Sequence, residues 1–158
     1  MAIFDAMFEF SGGGAEPNGQ DIGTSTITEA QASTNVLYFT DSDLEMGAGE
    51  PLWLNIKMGT EALLSTGSNT MTFALCRDTD STIDGSSTVI YQTTIAKANL
   101  GAGARVLRMP LPYNVDEDAY IGLLYTNNTA IASAGTVDAW LDHGPQSSYD
   151  TQVSASNI

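Results

Sequence analysis

Short runs in which apolar and polar side chains alternate at every second residue, each closed by Gly, Asp or Asn, constrain this chain more than any other feature. On a pleated strand successive side chains leave opposite faces, so such a run carries one apolar and one polar face. Leu52, Leu54, Ile56 and Met58 mark a core face, with Trp53, Asn55 and Lys57 opposite. Met71, Phe73 and Leu75 alternate with Thr70, Thr72 and Ala74 in the same way, and Val89 to Thr93 is a β-branched and aromatic run of strand type. Tyr120 to Tyr125 and Thr136 to Leu141 supply the last two strands, and Ser33 to Thr40 the first. Arg105 to Leu111 places Leu107, Met109 and Leu111 on one side. Pro110 and Pro112 lack the N–H that a central ladder needs, so this strand is expected to end early or lie at an edge.

Turn signals recur between the runs at Gly47-Ala48-Gly49, Gly67-Ser68-Asn69, Asp84-Gly85, Gly101-Ala102-Gly103 and the polar stretch Thr126 to Thr129. Helical evidence is thin: Gly59 to Leu64 allows one turn, and Ile95 to Leu100 is too short and too Gly-flanked for a stable helix. About eight short strands with dense turns predict an all-β, jelly-roll-like antiparallel β-sandwich. A chain of 158 residues fits one such domain and needs no metal or disulfide staple.

The expected organisation is an N-terminal apolar arm with a Gly-rich linker over 1–23, the β domain over 24–143 and a polar tail over 144–158. Ser11 to Gly23 holds Gly12, Gly13, Gly14, Gly19 and Gly23 with Pro17, a composition that cannot bury itself. Ile3, Phe4, Met7, Phe8 and Phe10 put large apolar side chains ahead of that tether. They are candidate contacts with a partner, the alternative being that the arm folds back as a strand of its own domain. Trp53 and Trp140 join them as apolar residues expected on exposed strand faces.

A formal charge of −14, from 19 acidic and 5 basic side chains, leaves no basic stripe for phosphates or anionic headgroups, so neither nucleic acid nor a membrane is an expected partner. The first ten residues have no positive n-region, and the chain is expected to be made in, and stay in, the cytoplasm; Asn127-Asn128-Thr129 then reads as a turn rather than a glycosylation acceptor. Cys76, the single cysteine, lies in an alternating apolar run and reads as a buried, inert thiol.

His143, the single histidine, follows Asp138 and Asp142, but no serine sits in a nucleophile-elbow context beside which it could act. Asp41, Asp43 and Glu45, and Asp78 and Asp80, offer clustered oxygens of the type calcium uses, without the spaced, glycine-turned pattern of an EF-hand loop. Asp116, Glu117, Asp118, Asp138 and Asp142 contain conceivable glycosidase pairs, and Trp53, Trp140, Tyr38, Tyr91, Tyr120 and Tyr125 a conceivable sugar-stacking platform. Solubilising turns and cross-strand packing explain these groups more simply. No nucleotide, dinucleotide, zinc-protease or zinc-ribbon motif is present. The expectation is a binding module that is not an enzyme, with no catalytic, cofactor or metal residues.

Several pieces of the sequence resemble the capsid cement (decoration) proteins of short-tailed phages of the Bordetella-phage type. They are Ala32 to Val36, Asp43 to Leu54, Thr66 to Phe73, Leu107 to Pro112, Tyr120 to Tyr125 and Gly135 to Leu141, which together span most of the chain. The linker Ser11 to Gly23 departs from the resemblance in being longer. What the resemblance implies is a jelly-roll-like virion protein bound to the outer capsid surface over junctions between major capsid protein subunits. Its partners are then the major capsid protein and itself, as a homodimer first and a homotrimer second, with the arm residues, Trp53 and Trp140 as contacts. A carbohydrate-binding or host-attachment β-sandwich is the alternative, and a jelly-roll glycosidase ranks below it.

Overall fold

The computed structural model describes residues 8–12, 20–22, 30–39, 52–62, 69–111, 119–128 and 134–143. Among these residues ten strands run in chain order: β1 (Glu9–Ser11), β2 (Gln20–Asp21), β3 (Ala30–Ala32), β4 (Leu37–Phe39), β5 (Leu52–Thr60), β6 (Thr70–Asp78), β7 (Thr88–Ala96), β8 (Arg105–Pro110), β9 (Ala119–Asn127) and β10 (Thr136–His143). Between β7 and β8 lies one 3-10 turn, Lys97–Asn99, and the described residues contain no α-helix. Two antiparallel sheets result. In sheet A, β1 and β2 share one edge of β10, which pairs with β5 and through it with β8. In sheet B, β3 and β4 share one edge of β9, which pairs with β6 and through it with β7.

The pairings nest. The β6–β7 hairpin is innermost, β5 pairs with β8 outside it, β3 and β4 with β9 beyond that, and β1 and β2 with β10 outermost. Successive pairs fall on alternate sheets. This is the winding of an eight-stranded jelly roll in which the first two strands are each broken in two. Of the two outcomes the prolines at 110 and 112 allow, an early end or an edge position, β8 takes the edge among the described strands.

The core lies between the inner faces of the sheets. It takes Leu54, Ile56 and Met58 from β5, Met71, Phe73 and Leu75 from β6, Ile121, Leu123 and Tyr125 from β9, and Val137, Ala139 and Leu141 from β10. Every second residue of each strand is used, as the alternation requires. Phe73 meets Tyr125 edge-on, with ring centroids 5.7 Å apart, the geometry that sets a ring's positive edge against a negative face.

The N-terminal region departs from the sequence expectation. Phe10 and Ile22 are both fully buried in this core, and β1 and β2 belong to sheet A, so residues 9–11 and 20–22 are part of the domain rather than of a free arm and linker. Phe10 is therefore withdrawn as a partner contact, because its side chain is already spent inside its own fold. Phe8 is 36% exposed, whereas Ile3, Phe4 and Met7 lie outside the described residues.

A buried polar chain fastens these short strands. Ser11 Oγ–H donates to Gln20 Oε1 at 2.6 Å, and the Tyr125 hydroxyl lies 2.6 Å from the same Ser11 oxygen, which makes Tyr125 the donor in that pair. Gln20 Oε1 also accepts the Thr34 N–H, and its Nε2 donates to the Ala32 carbonyl. Asn35 adds two bonds to the backbone carbonyls of Phe10 and Glu9. Ser11 and Tyr125 belong to different sheets, so this chain joins the layers through the core, where a satisfied polar network is stabilising and a broken one costly.

Two further expectations are corrected. The strand expected over Ser33 to Thr40 is confined to β4 (Leu37–Phe39) and is preceded by a separate β3 (Ala30–Ala32), because between them the buried Ser33 Oγ accepts the Leu123 N–H and donates to the Asn35 carbonyl, replacing ladder bonds with side-chain ones. Thr126 and Asn127 are strand rather than turn: both pair with β6, and Asn127 is 1% exposed.

The core placement of Phe10 predicts that Phe10→Ala costs about 3–5 kcal/mol of stability, as large-to-small core changes do. In the polar chain, Ser11→Ala strands the Tyr125 hydroxyl and one Gln20 bond and is expected to cost about 1–3 kcal/mol, whereas Tyr125→Phe leaves Ser11 its bond to Gln20 and costs about 1 kcal/mol. Urea denaturation measures all three. A Ser11→Ala cost no larger than that of Tyr125→Phe contradicts the donor order.

Candidate functional site

With the inner faces consumed by the core, the surfaces that the described strands leave for a partner are the outer faces and edges of the sheets. The outer face of sheet B is largely closed by the chain itself. Ala74, Cys76 and Leu124 form a second apolar cluster with Ile83 from the β6–β7 turn, flanked by Ala30, Ala32, Val36 and Tyr120. Gly122 permits this closure, since a Cβ there would lie 2.8 Å from Ile83 Cγ1 and 3.3 Å from Ser33 Oγ. Cys76 is fully buried, and burial pushes its thiol up from 9.0 to about 11. Farther along the face, Thr70, Thr72, Thr94 and Asn128 bond to one another side chain to side chain.

The acidic β6–β7 turn spends its carboxylates on its own backbone. Asp78 accepts the Thr79 N–H, Asp80 the Thr82 N–H, and Asp84 the N–H and hydroxyl of Ser86. Hydrogen bonds from Ser87 to Asp78 and from Ser86 to Asp84 hold both carboxyls below the usual range. Among the described residues no group of three or more His, Cys, Asp or Glu is placed to hold a metal ion. Asp41, Asp43 and Glu45 lie outside the described residues.

Sheet A presents a different outer face. Cross-strand register lines up three rows: Asp138, Lys57 and Arg105; Trp140, Asn55 and Arg108; Asp142, Trp53 and Pro110. The Arg108 guanidinium lies over the Trp53 ring, 5.8 Å from its centroid, within cation–π range. A shallow pocket of about 280 Å³ opens among Asn55, Lys57, Gly103, Arg105, Leu107 and Trp140. Its rim is shaped by the Gly101–Ala104 turn, where Gly103 takes the φ of 75° that the third position of a type II turn demands. Trp140 is only 8% exposed and Trp53 half-buried. The expectation of two freely exposed tryptophans is thus corrected: Trp140 lies on the outer face yet is covered there.

The remaining candidates do not converge. Asp138 and Asp142 both lie on the outer side of β10, beside Lys57 and Trp53, and His143 is the last residue of β10, while Asp116, Glu117 and Asp118 lie outside the described residues. The six aromatics expected of a sugar platform are split between sheet A's outer face (Trp53, Trp140), a tilted cross-strand pair on β4 and β9 (Tyr38 and Tyr120, centroids 4.6 Å apart), β7 (Tyr91) and the core (Tyr125). One exposed feature escaped the sequence reading. β7, which among the described residues pairs on one side only and so forms an edge of sheet B, is nine residues long, has no charged or proline residue and exposes Val89 and Tyr91. Such an edge is a template for another strand.

The architecture defines the class first: an all-β jelly-roll sandwich in which no described helix is long and apolar enough to cross a membrane. The model of the Bbp16 family, a Bordetella phage protein family, matches residues 22–141, and the chain belongs to that family. No curated protein matches it.

Cys76 yields two expectations. With its pKa near 11, roughly 0.1% of the folded thiol is ionised at pH 8, so labelling by a thiol reagent is slow until the chain is unfolded; Gly122→Ala, by displacing Ile83, is expected to speed it. The raised pKa also sets a pH dependence. The unfolded thiol ionises near 9 and the folded one near 11, so this contribution to stability is complete below pH 9 and is lost as pH climbs toward 11. Cys76→Ala is expected to flatten urea-midpoint profiles across that window.

Proposed function

We propose that this chain is a structural virion protein that binds the outer surface of a tailed-phage capsid as a homo-oligomer and stabilises junctions between major capsid protein subunits. The observation that carries this reading is the membership of a phage protein family over residues 22–141. The physics of such a role is linkage. A protein that binds the assembled shell more tightly than free subunits shifts the equilibrium toward the shell by its differential binding free energy, and no bond need be made or broken. On this reading the chain is not an enzyme, is made in the host cytoplasm and acts on the capsid exterior.

Self-association is part of the proposal, as a homodimer. The uncharged β7 edge supports it, because two copies of a chain of net charge −14 approach at least electrostatic cost along a strand without charges. Antiparallel pairing of two such edges is self-complementary about a two-fold axis.

Sedimentation of purified protein with capsid shells lacking it, beside matched glycan beads, tests the reading. Saturable binding to shells that raises their resistance to denaturant is the expected result; retention by glycan beads in place of shells overturns it. Light scattering is expected to give a dimer mass, and Tyr91→Lys, which sets like charges across the proposed two-fold, is expected to return it to the monomer mass.

A further inference from the structure

The chain has five cations, and the fold gathers Lys57, Arg105 and Arg108 onto the β5–β8 half of sheet A's outer face. Neither β5 nor β8 contains a carboxylate. The acidic residues described on this face are Glu9 on β1 and Asp138 and Asp142 on β10, of which Asp138 is the cross-strand neighbour of Lys57. Within the strip formed by β5 and β8 the balance is thus cationic, and β8 pairs with no second strand among the described residues.

We propose that this strip is the surface that meets the shell, and that its partner there is an acidic, carboxylate-bearing segment of the shell protein. The inference rests on the shell-binding reading and deepens it. Three observations converge on an acidic protein segment. The strip combines Trp and Arg, the side chains that dominate binding energy at protein interfaces. Arg108, held over the Trp53 ring, has its planar donor fork oriented before a partner arrives, so less freedom is lost when a carboxylate docks on it. The pocket lined by Arg105, Asn55 and Trp140 is a concavity in which a carboxylate side chain can reach the exposed Arg105 guanidinium.

Nucleic acid fits less well. Three cations release few counterions, and the remainder of a −14 chain repels a phosphate backbone. A short acidic peptide segment engages the strip without lying along the rest of the surface.

The test uses the full chain and shells stripped of it. Wild type is expected to bind, and to bind more weakly as salt rises. The variant Arg105→Glu/Arg108→Glu is expected to lose at least about tenfold in affinity, while Lys97→Glu, a cation reversed in the 3-10 turn, binds as wild type does. Arg105 is exposed, so Arg105→Glu alone serves if the double variant melts early. Shells whose surface carboxylates have been amidated with carbodiimide and ethanolamine are expected to lose wild-type binding. If wild type binds and the reversals or the amidation change nothing, this inference falls and the shell-binding reading stands. If wild type binds no shell, both fall. Binding of duplex DNA as tight as that of shells, abolished by the same reversals, overturns the acidic-segment assignment.

Discussion

The apolar layer between the four central strands is the interaction on which everything else depends. β5 and β10 of one sheet and β6 and β9 of the other commit every second side chain to it, and the resulting seam is lined by Leu54, Ile56, Met58, Phe73, Leu75, Ile121, Leu123 and Val137. Each such burial contributes about 1.5–3 kcal/mol against the entropy of ordering the chain. Because strand geometry sends the intervening residues outward, a register that secures the core also dictates which side chains face a partner. A slip of one residue would exchange the two sets. The outer surface is thus tied to the inner one residue by residue.

The edges of that layer are held differently. The short strands β1 to β4 are too brief to be kept by ladder bonds alone, and side chains complete them: Ser11, Gln20 and Tyr125 join the sheets, while Ser33 and Asn35 pin the break between β3 and β4. Phe10 and Ile22 then plug the core beneath. The N-terminal region is consequently both a polar clasp and a hydrophobic plug.

The two outer faces have been put to different uses. Sheet B folds its β6–β7 turn back over Gly122 and seals Cys76 below Ile83, which removes an apolar patch from solvent. Sheet A keeps aromatic and cationic groups at its surface, in a molecule whose strong net negative charge favours solubility and resists casual self-contact. That asymmetry leaves the outer face of sheet A, not that of sheet B, with aromatic and cationic groups within reach of solvent.

The alternation of Leu52 to Met58 and of Thr70 to Leu75 was sufficient to read the strands, their inner faces and the all-β class, because a two-residue period is a local property of the pleat. Pro110, through its own missing N–H, likewise limited β8 to an early end or an edge, and the pairing chose the edge. Phe10, by contrast, reads as arm residue or core strand equally well in one dimension, since an apolar side chain records a need for burial but not where the burial happens. The strip of Lys57, Arg105 and Arg108 was invisible for the same reason: these residues lie nearly fifty positions apart, and only the pairing of β5 with β8 makes them neighbours. Trp140 was expected on an open face because alternation tells inside from outside, whereas its covering depends on the strands and turns packed around it. Local chemistry determined the strands; the long-range register, set by the best-filled core, decided which of their outward residues meet.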